Sequence, residues 1–153
     1  MRKSVFSGKV LNKMQLKLPA LSANEGMARA AVAAFCSQLD PSAVELADIK
    51  CAVSEAVTNA IVHAYPDTLG KVSLRVRILE DSVLEIVVRD WGRGIADVGK
   101  AREPMYTTGG DERSGMGFTI MESFMDKLSV RSAPGKGTRV MMRKKIVRRP
   151  NMR

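Results

Sequence analysis

The sequence predicts an α+β fold in which helices cover one face of a mixed, mostly antiparallel sheet. Three observations predict it. Apolar residues alternate with polar ones near both ends and in the middle of the chain. Two helical patterns lie between the first strand and the next, and polar turns join the later strands in pairs. A length of 153 residues with 45% hydrophobic content suits one domain with a buried core.

Residues 10–18 alternate from Met14 onward and read as a strand that Pro19 ends. Ser22 and Glu25 have capping-box spacing, and a helix over 23–39 follows with Met27, Ala30, Ala31, Ala34 and Phe35 on its apolar side. Asp40 and Pro41 have the pattern of an N-cap followed by proline in the first turn, opening a second helix that runs to about Tyr65. Strands over 72–78 and 83–89 follow, joined by a turn at Glu80-Asp81 and therefore antiparallel. The glycine-rich stretch 91–116 has room for a short helix near 97–103. A helix over 117–126 and strands over 127–132 and 137–146 complete the order.

The net charge is +9, a value that by itself suggests an anionic partner. Along the chain, residues 1–17 hold five basic groups and residues 127–153 hold ten, with no acid in either segment. The positive charge is thereby assigned to the two ends of the chain, around an acidic middle at 18–126; the expected organisation is a basic N-terminal extension (1–11), a domain at 12–146 and a basic tail (147–153). Aromatic residues make up only 5% of the chain and do not interleave with the basic ones, so a nucleic-acid-binding protein is the weaker alternative. No apolar run reaches the roughly 18 residues of a membrane span, and the start of the chain lacks the apolar core of a secretory leader. A cytoplasmic location is expected. Cys36 and Cys51 are too few for a disulfide framework or a four-ligand zinc site.

On the second helix, Val53, Ala56, Val57, Ala60, Ile61 and Ala64 form an apolar face, while Cys51, Glu55, Asn59 and His63 recur every four residues. A carboxylate and a carboxamide one turn apart can hold a hard cation or position a proton acceptor beside it; a solvated stripe would look the same. His63, the only histidine, has no ligand-spaced partners and reads as a packing or helix-end residue.

Two loops carry further chemistry. Asp90-Trp91-Gly92-Arg93-Gly94 follows a strong strand, and its glycines permit a tight turn and a close approach by a ligand. Thr107 to Gly117, containing Arg113, runs into a helix whose N-terminal amides suit phosphate. Its spacing matches neither the P-loop nor the dinucleotide fingerprint. Gly137-Thr138 adds a small residue and a hydroxyl on the last hairpin.

Together, Glu55-Ala-Val-Thr-Asn59, Asp90-Trp-Gly-Arg-Gly94, Gly115-Met-Gly117 and Gly137-Thr138 resemble the ordered boxes of the ATPase superfamily of gyrase, histidine kinases and MutL. The flanking text, including Ala20 to Glu25, Ser54 to Ile61, Ala101 to Pro104 and Glu112 to Glu122, resembles the sporulation anti-sigma F family of serine protein kinases over about 12–142. This resemblance implies a Bergerat-type two-layer sandwich binding ATP and Mg²⁺ beneath a lid at about 97–116. It implies Mg²⁺ on Asn59, a general base at Glu55, and adenine read by Asp90 with support from Thr138 and room given by Gly94. Thr107, Thr108, Arg113, Gly115, Met116 and Gly117 would line the nucleotide's phosphates. Members phosphorylate a serine of an anti-anti-sigma protein and hold a sigma factor as homodimers, with Glu25 and Arg29 facing the partner. A protein that sequesters a sigma factor without kinase activity is the alternative. Three features depart from the family pattern: the longer N-terminal segment, the basic tail, and Trp91, where small or charged residues are commoner.

Overall fold

The computed structural model describes residues 8–103 and 117–147. The first strand, β1 (Val10–Pro19), leads into α1 (Asn24–Cys36) and then α2 (Ala43–Thr58), which widens into a π-helical turn at Asn59–His63. The hairpin of β2 (Lys71–Leu79) and β3 (Val83–Asp90) follows. A short α3 (Val98–Ala101), α4 (Gly117–Phe124), β4 (Lys127–Ser132) and β5 (Thr138–Lys145) complete the described chain. The strands lie in the order β1-β2-β3-β5-β4, and all four pairings are antiparallel. The expected two-layer architecture is present, with a sheet more uniformly antiparallel than the sequence suggested.

Alternation places one residue of each strand pair in the core. Leu74, Val76, Leu84, Ile86, Val140 and Met142 are buried beneath Val32, Ile49, Val53 and Met121 of the helices. Each large apolar side chain so buried contributes about 1.5–3 kcal/mol. Six residues expected on the apolar face of the second helix, Val53, Ala56, Val57, Ala60, Ile61 and Ala64, are all buried.

Three local expectations are overturned. Ser22 and Glu25 do not form a capping box: α1 has Ala23 at its N-cap with no side-chain bond, and Glu25 instead pairs with Arg29. The box forms at the next helix, where the Ser42 hydroxyl accepts from the Glu45 amide at 3.0 Å and the Glu45 carboxylate accepts from the Ser42 amide at 2.8 Å. Asp40 is therefore not the cap; it takes a left-handed conformation two residues earlier. Finally, α1 buries Ala28, Val32 and Cys36 and leaves Met27 exposed, while Phe35 packs against the core as expected.

The fold also redistributes the charge. Arg75, Arg77, Arg89, Arg131, Arg139 and Arg143 alternate with core residues and share the sheet face opposite the helices. Glu85, 1% exposed, sits among them and accepts from Arg77 Nε at 2.7 Å and Arg143 Nε at 2.8 Å. Burial works to raise the Glu85 carboxyl, but the Arg143 and Arg77 bonds outweigh it and hold the group below its usual range. The positive charge thus belongs to a sheet face as well as to the chain ends. Cys36 and Cys51 are free, and burial pushes the Cys36 thiol up to about 11.

Candidate functional site

Glu55 and Asn59 are one turn apart at the end of α2, both half-buried. Opposite them, α4 begins at Gly117. A methyl group added at Gly117 would stand 3.2 Å from Asn59 Nδ2 and 3.3 Å from Glu55 Oε2. Phe118 and Met121 anchor α4 in the core, so its first turn is held against the carboxylate and carboxamide. The π turn follows directly: the Asn59 carbonyl receives the Ala64 amide at 3.3 Å, a five-residue step of a kind that recurs at functional sites. The second helix is therefore not a regular α-helix up to Tyr65.

Beyond the π turn, the backbone of three segments converges. Ala64 offers its carbonyl to the Arg93 amide at 2.9 Å, and Gly92 packs so close to Ala64 that no side chain fits. Gly94 (φ 74°) abuts the Ala133 carbonyl, Gly137 (φ 78°) abuts the Asp90 carbonyl, and the Arg93 carbonyl accepts from Gly135 at 2.7 Å. Glycine is required at 94 and 137 by both space and conformation. The loop after β3 is thus pinned between the end of the second helix and the β4–β5 turn.

Asp90 ends β3 on the core face and is 5% exposed. Its Oδ1 accepts from the Gly92 amide at 2.9 Å and from the Thr138 amide at 3.2 Å. Among the described residues its Oδ2 accepts no hydrogen bond. Burial raises the Asp90 carboxyl above its usual range, and the two amides only partly offset this. Thr138 lies directly across from Asp90 on β5, and Ser132 directly across from Thr138 on β4. Ser132 escaped notice in the sequence, yet its hydroxyl contacts Ile95, Gly137 and Thr138. Only the cross-strand register exposes that role. Tyr65, in the loop before β2, was also missed, because its partners meet it only in the folded chain: its hydroxyl donates to the Lys71 carbonyl and accepts from the Trp91 amide, both at 2.8 Å.

Chemically, this arrangement offers an oxygen-rich pair beside a helix N-terminus and, across the loop, a buried carboxylate with one oxygen unused. A single carboxamide with a nearby carboxylate suits Mg²⁺, which keeps most of its ligands as water and phosphate oxygens. Among the described residues no cluster of three His, Cys, Asp or Glu side chains forms a metal cage, so a cation here would depend on such outside oxygens. Thr107, Thr108, Arg113, Gly115 and Met116 lie outside the described residues. Glu25 and Arg29 sit on α1, away from this cluster in sequence; Arg29 Nη1 bonds Glu25 Oε1 at 3.0 Å and the Ser54 hydroxyl at 3.1 Å, which ties α1 to the residue preceding Glu55. No helix among the described residues is long and apolar enough to cross a membrane.

Comparison with known proteins places the chain in a family. The family model described as histidine kinase-like ATPase domain matches residues 18–144. The chain is 55% identical over 138 residues to the anti-sigma F factor of Caldanaerobacter subterraneus subsp. tengcongensis, covering 90% of this chain and 96% of that protein. It is 55% identical over 136 residues to the anti-sigma F factor of Clostridium acetobutylicum, covering 88% and 94%. In fold it is similar to a crystal structure of RsbU and RsbW domains from Mycobacterium tuberculosis, with a TM-score of 0.66 at 19% identity, over 88% of this chain and 32% of that longer one. A mycobacterial sensor histidine kinase, MprB, gives a TM-score of 0.55 at 16% identity, over 86% of this chain and 97% of that one. The chain belongs to the anti-sigma F factor family and carries a histidine kinase-like ATPase domain.

Proposed function

We propose that this protein is an anti-sigma factor that binds a sporulation sigma factor and uses ATP and Mg²⁺ to phosphorylate a serine of an anti-anti-sigma protein. The observation that carries the reading is the meeting of Glu55, Asn59 and Gly117, with the Asp90–Thr138 pair held nearby through the Ala64–Gly92 contact. Family membership supports the nucleotide as ligand and the sigma factor as partner.

In this reading Asn59 supplies a carboxamide oxygen to Mg²⁺, which neutralises phosphate charge when bound. Asp90 Oδ2 accepts from the adenine amino group and Thr138 supports that contact, while Gly94, whose side-chain position is filled by the Ala133 carbonyl, acts by holding the loop against the β4–β5 turn. Thr107, Thr108, Arg113, Gly115, Met116 and Gly117 surround the phosphates, with the α4 N-terminus contributing amides. Glu55 receives the proton of the acceptor serine as its oxygen forms a bond to the γ-phosphorus and the bond to the leaving ADP breaks. Such transfer is mainly positioning and charge neutralisation, and these are what two packed helices provide. Glu25 and Arg29 face the partner, in a homodimer.

Incubation with γ-labelled ATP, Mg²⁺ and the serine-bearing partner tests the reading. Label on the partner is expected; retention of nucleotide without transfer would favour a protein that only sequesters the sigma factor.

A further inference from the structure

Leu18, Val72, Asp90, Thr138 and Ser132 form one transverse row across all five strands, and its last three members are polar. Ser132 lies at the end of this row and makes three contacts through a single hydroxyl. It accepts from the Ile95 amide at 2.7 Å, donates to the Gly137 carbonyl at 2.9 Å, and lies 2.8 Å from the Thr138 hydroxyl. A hydroxyl has one proton. The arrangement that satisfies all of these groups puts the Ser132 proton on the Gly137 carbonyl, which can only accept. In that arrangement the Thr138 hydroxyl donates to Ser132, which leaves only lone pairs on its free side.

We infer that Ser132 is a specificity-determining positioning residue: by consuming the Thr138 proton, it makes the Asp90–Thr138 pair an acceptor-only surface that favours a 6-amino purine over a 6-carbonyl purine. The inference rests on the adenine reading of Asp90. Asp90 Oδ1 is already occupied by two amides, so Oδ2 and the Thr138 lone pairs are the groups left to face a ligand. A carbonyl brought to this surface finds no donor and leaves its own acceptor unpaired, whereas an amine or its bridging water is satisfied. In Ser132→Ala the Thr138 proton is released and can turn toward a carbonyl.

The test compares ATP with ITP, which carries a carbonyl in place of the 6-amino group, by calorimetric titration of the full chain. The parent is expected to prefer ATP. Ser132→Ala should narrow that preference by roughly fivefold, the worth of about one hydrogen bond. Ser132→Thr, which keeps the hydroxyl, should restore it. In a Thr138→Val background the Ser132→Ala effect should vanish, since no hydroxyl remains to reorient. Should Ser132→Ala not fold, Ser132→Cys, with its weak S–H donor, should narrow the preference in the same direction. Equal weakening of both nucleotides, or narrowing that persists without the Thr138 hydroxyl, would overturn the inference. A parent that binds both equally would also overturn it while leaving the nucleotide site standing. A parent that binds neither would refute the nucleotide reading itself.

Discussion

Gly117 turns a bare Cα toward Asn59, so closely that a methyl group there would stand 3.2 Å from the carboxamide nitrogen. Gly117→Ala therefore crowds Asn59 and Glu55 together. The ends of these two flexible side chains must give by a few tenths of an ångström, which costs the fold little but moves them from their places around a cation, so affinity for ATP and Mg²⁺ should fall by about tenfold. Alanine in a helix recovers part of glycine's roughly 1 kcal/mol penalty, so the fold itself should change little. Titration with ATP and Mg²⁺ should show the loss, and a thermal melt should show a transition near the parent's.

Asp90→Asn should separate stability from binding. The asparagine oxygen can still accept from the Gly92 and Thr138 amides, while the buried charge disappears. Because burial raises the native Asp90 carboxyl, its ionisation costs the folded state, and that cost is present at neutral pH and disappears as pH falls through the folded value. The variant without nucleotide should thus melt at or above the parent temperature at pH 7, with the gap closing on acidification. Its affinity for ATP should fall by about tenfold or more, the worth of a hydrogen bond to a charged group. An equal proportional loss for GTP would count against adenine readout.

Glu85 gives the opposite sign. Its carboxyl is held below the usual range, so the stability it contributes is present above the ordinary value of 4.5 and is lost as pH falls below it. Urea melts of the parent should weaken across that window, and melts of Glu85→Gln should change less. Glu85→Ala leaves Arg77 and Arg143 facing each other without a shared anion, at a cost of about 3 kcal/mol at pH 7.

Two glycines in the β4–β5 turn separate conformational from steric cost. Gly135 (φ 74°) has open space where a Cβ would point, whereas Gly137 (φ 78°) has the Asp90 backbone there. Gly135→Ala should cost about 1–2 kcal/mol, the left-handed penalty alone. Gly137→Ala should cost more and also disturb nucleotide binding, because it pushes Asp90 and Thr138 apart. Denaturant melts of both variants supply the comparison.

Much of this was legible in the chain because periodicity reports burial. Val53 to Ala64 and the alternations at 72–78 and 83–89 placed the helix and hairpin that frame Glu55, Asn59 and Asp90. Local capping was less readable: Ser22/Glu25 and Ser42/Glu45 share one spacing, and what separates them is the Arg29 that claims Glu25. The π turn leaves no periodic trace at five residues. Ser132 and the arginine face depend on strand register, and Tyr65 on the loop after β3 folding back to it; both bring together residues that are far apart in sequence.

A structure of the full chain with an ATP analogue and Mg²⁺ tests the central claim most directly. The account predicts the metal at the Asn59 carboxamide oxygen, the phosphates along Gly115–Gly117, and the adenine amino group at Asp90 Oδ2. A nucleotide bound elsewhere, or bound here with its base away from Asp90 and its phosphates away from the start of α4, would contradict it.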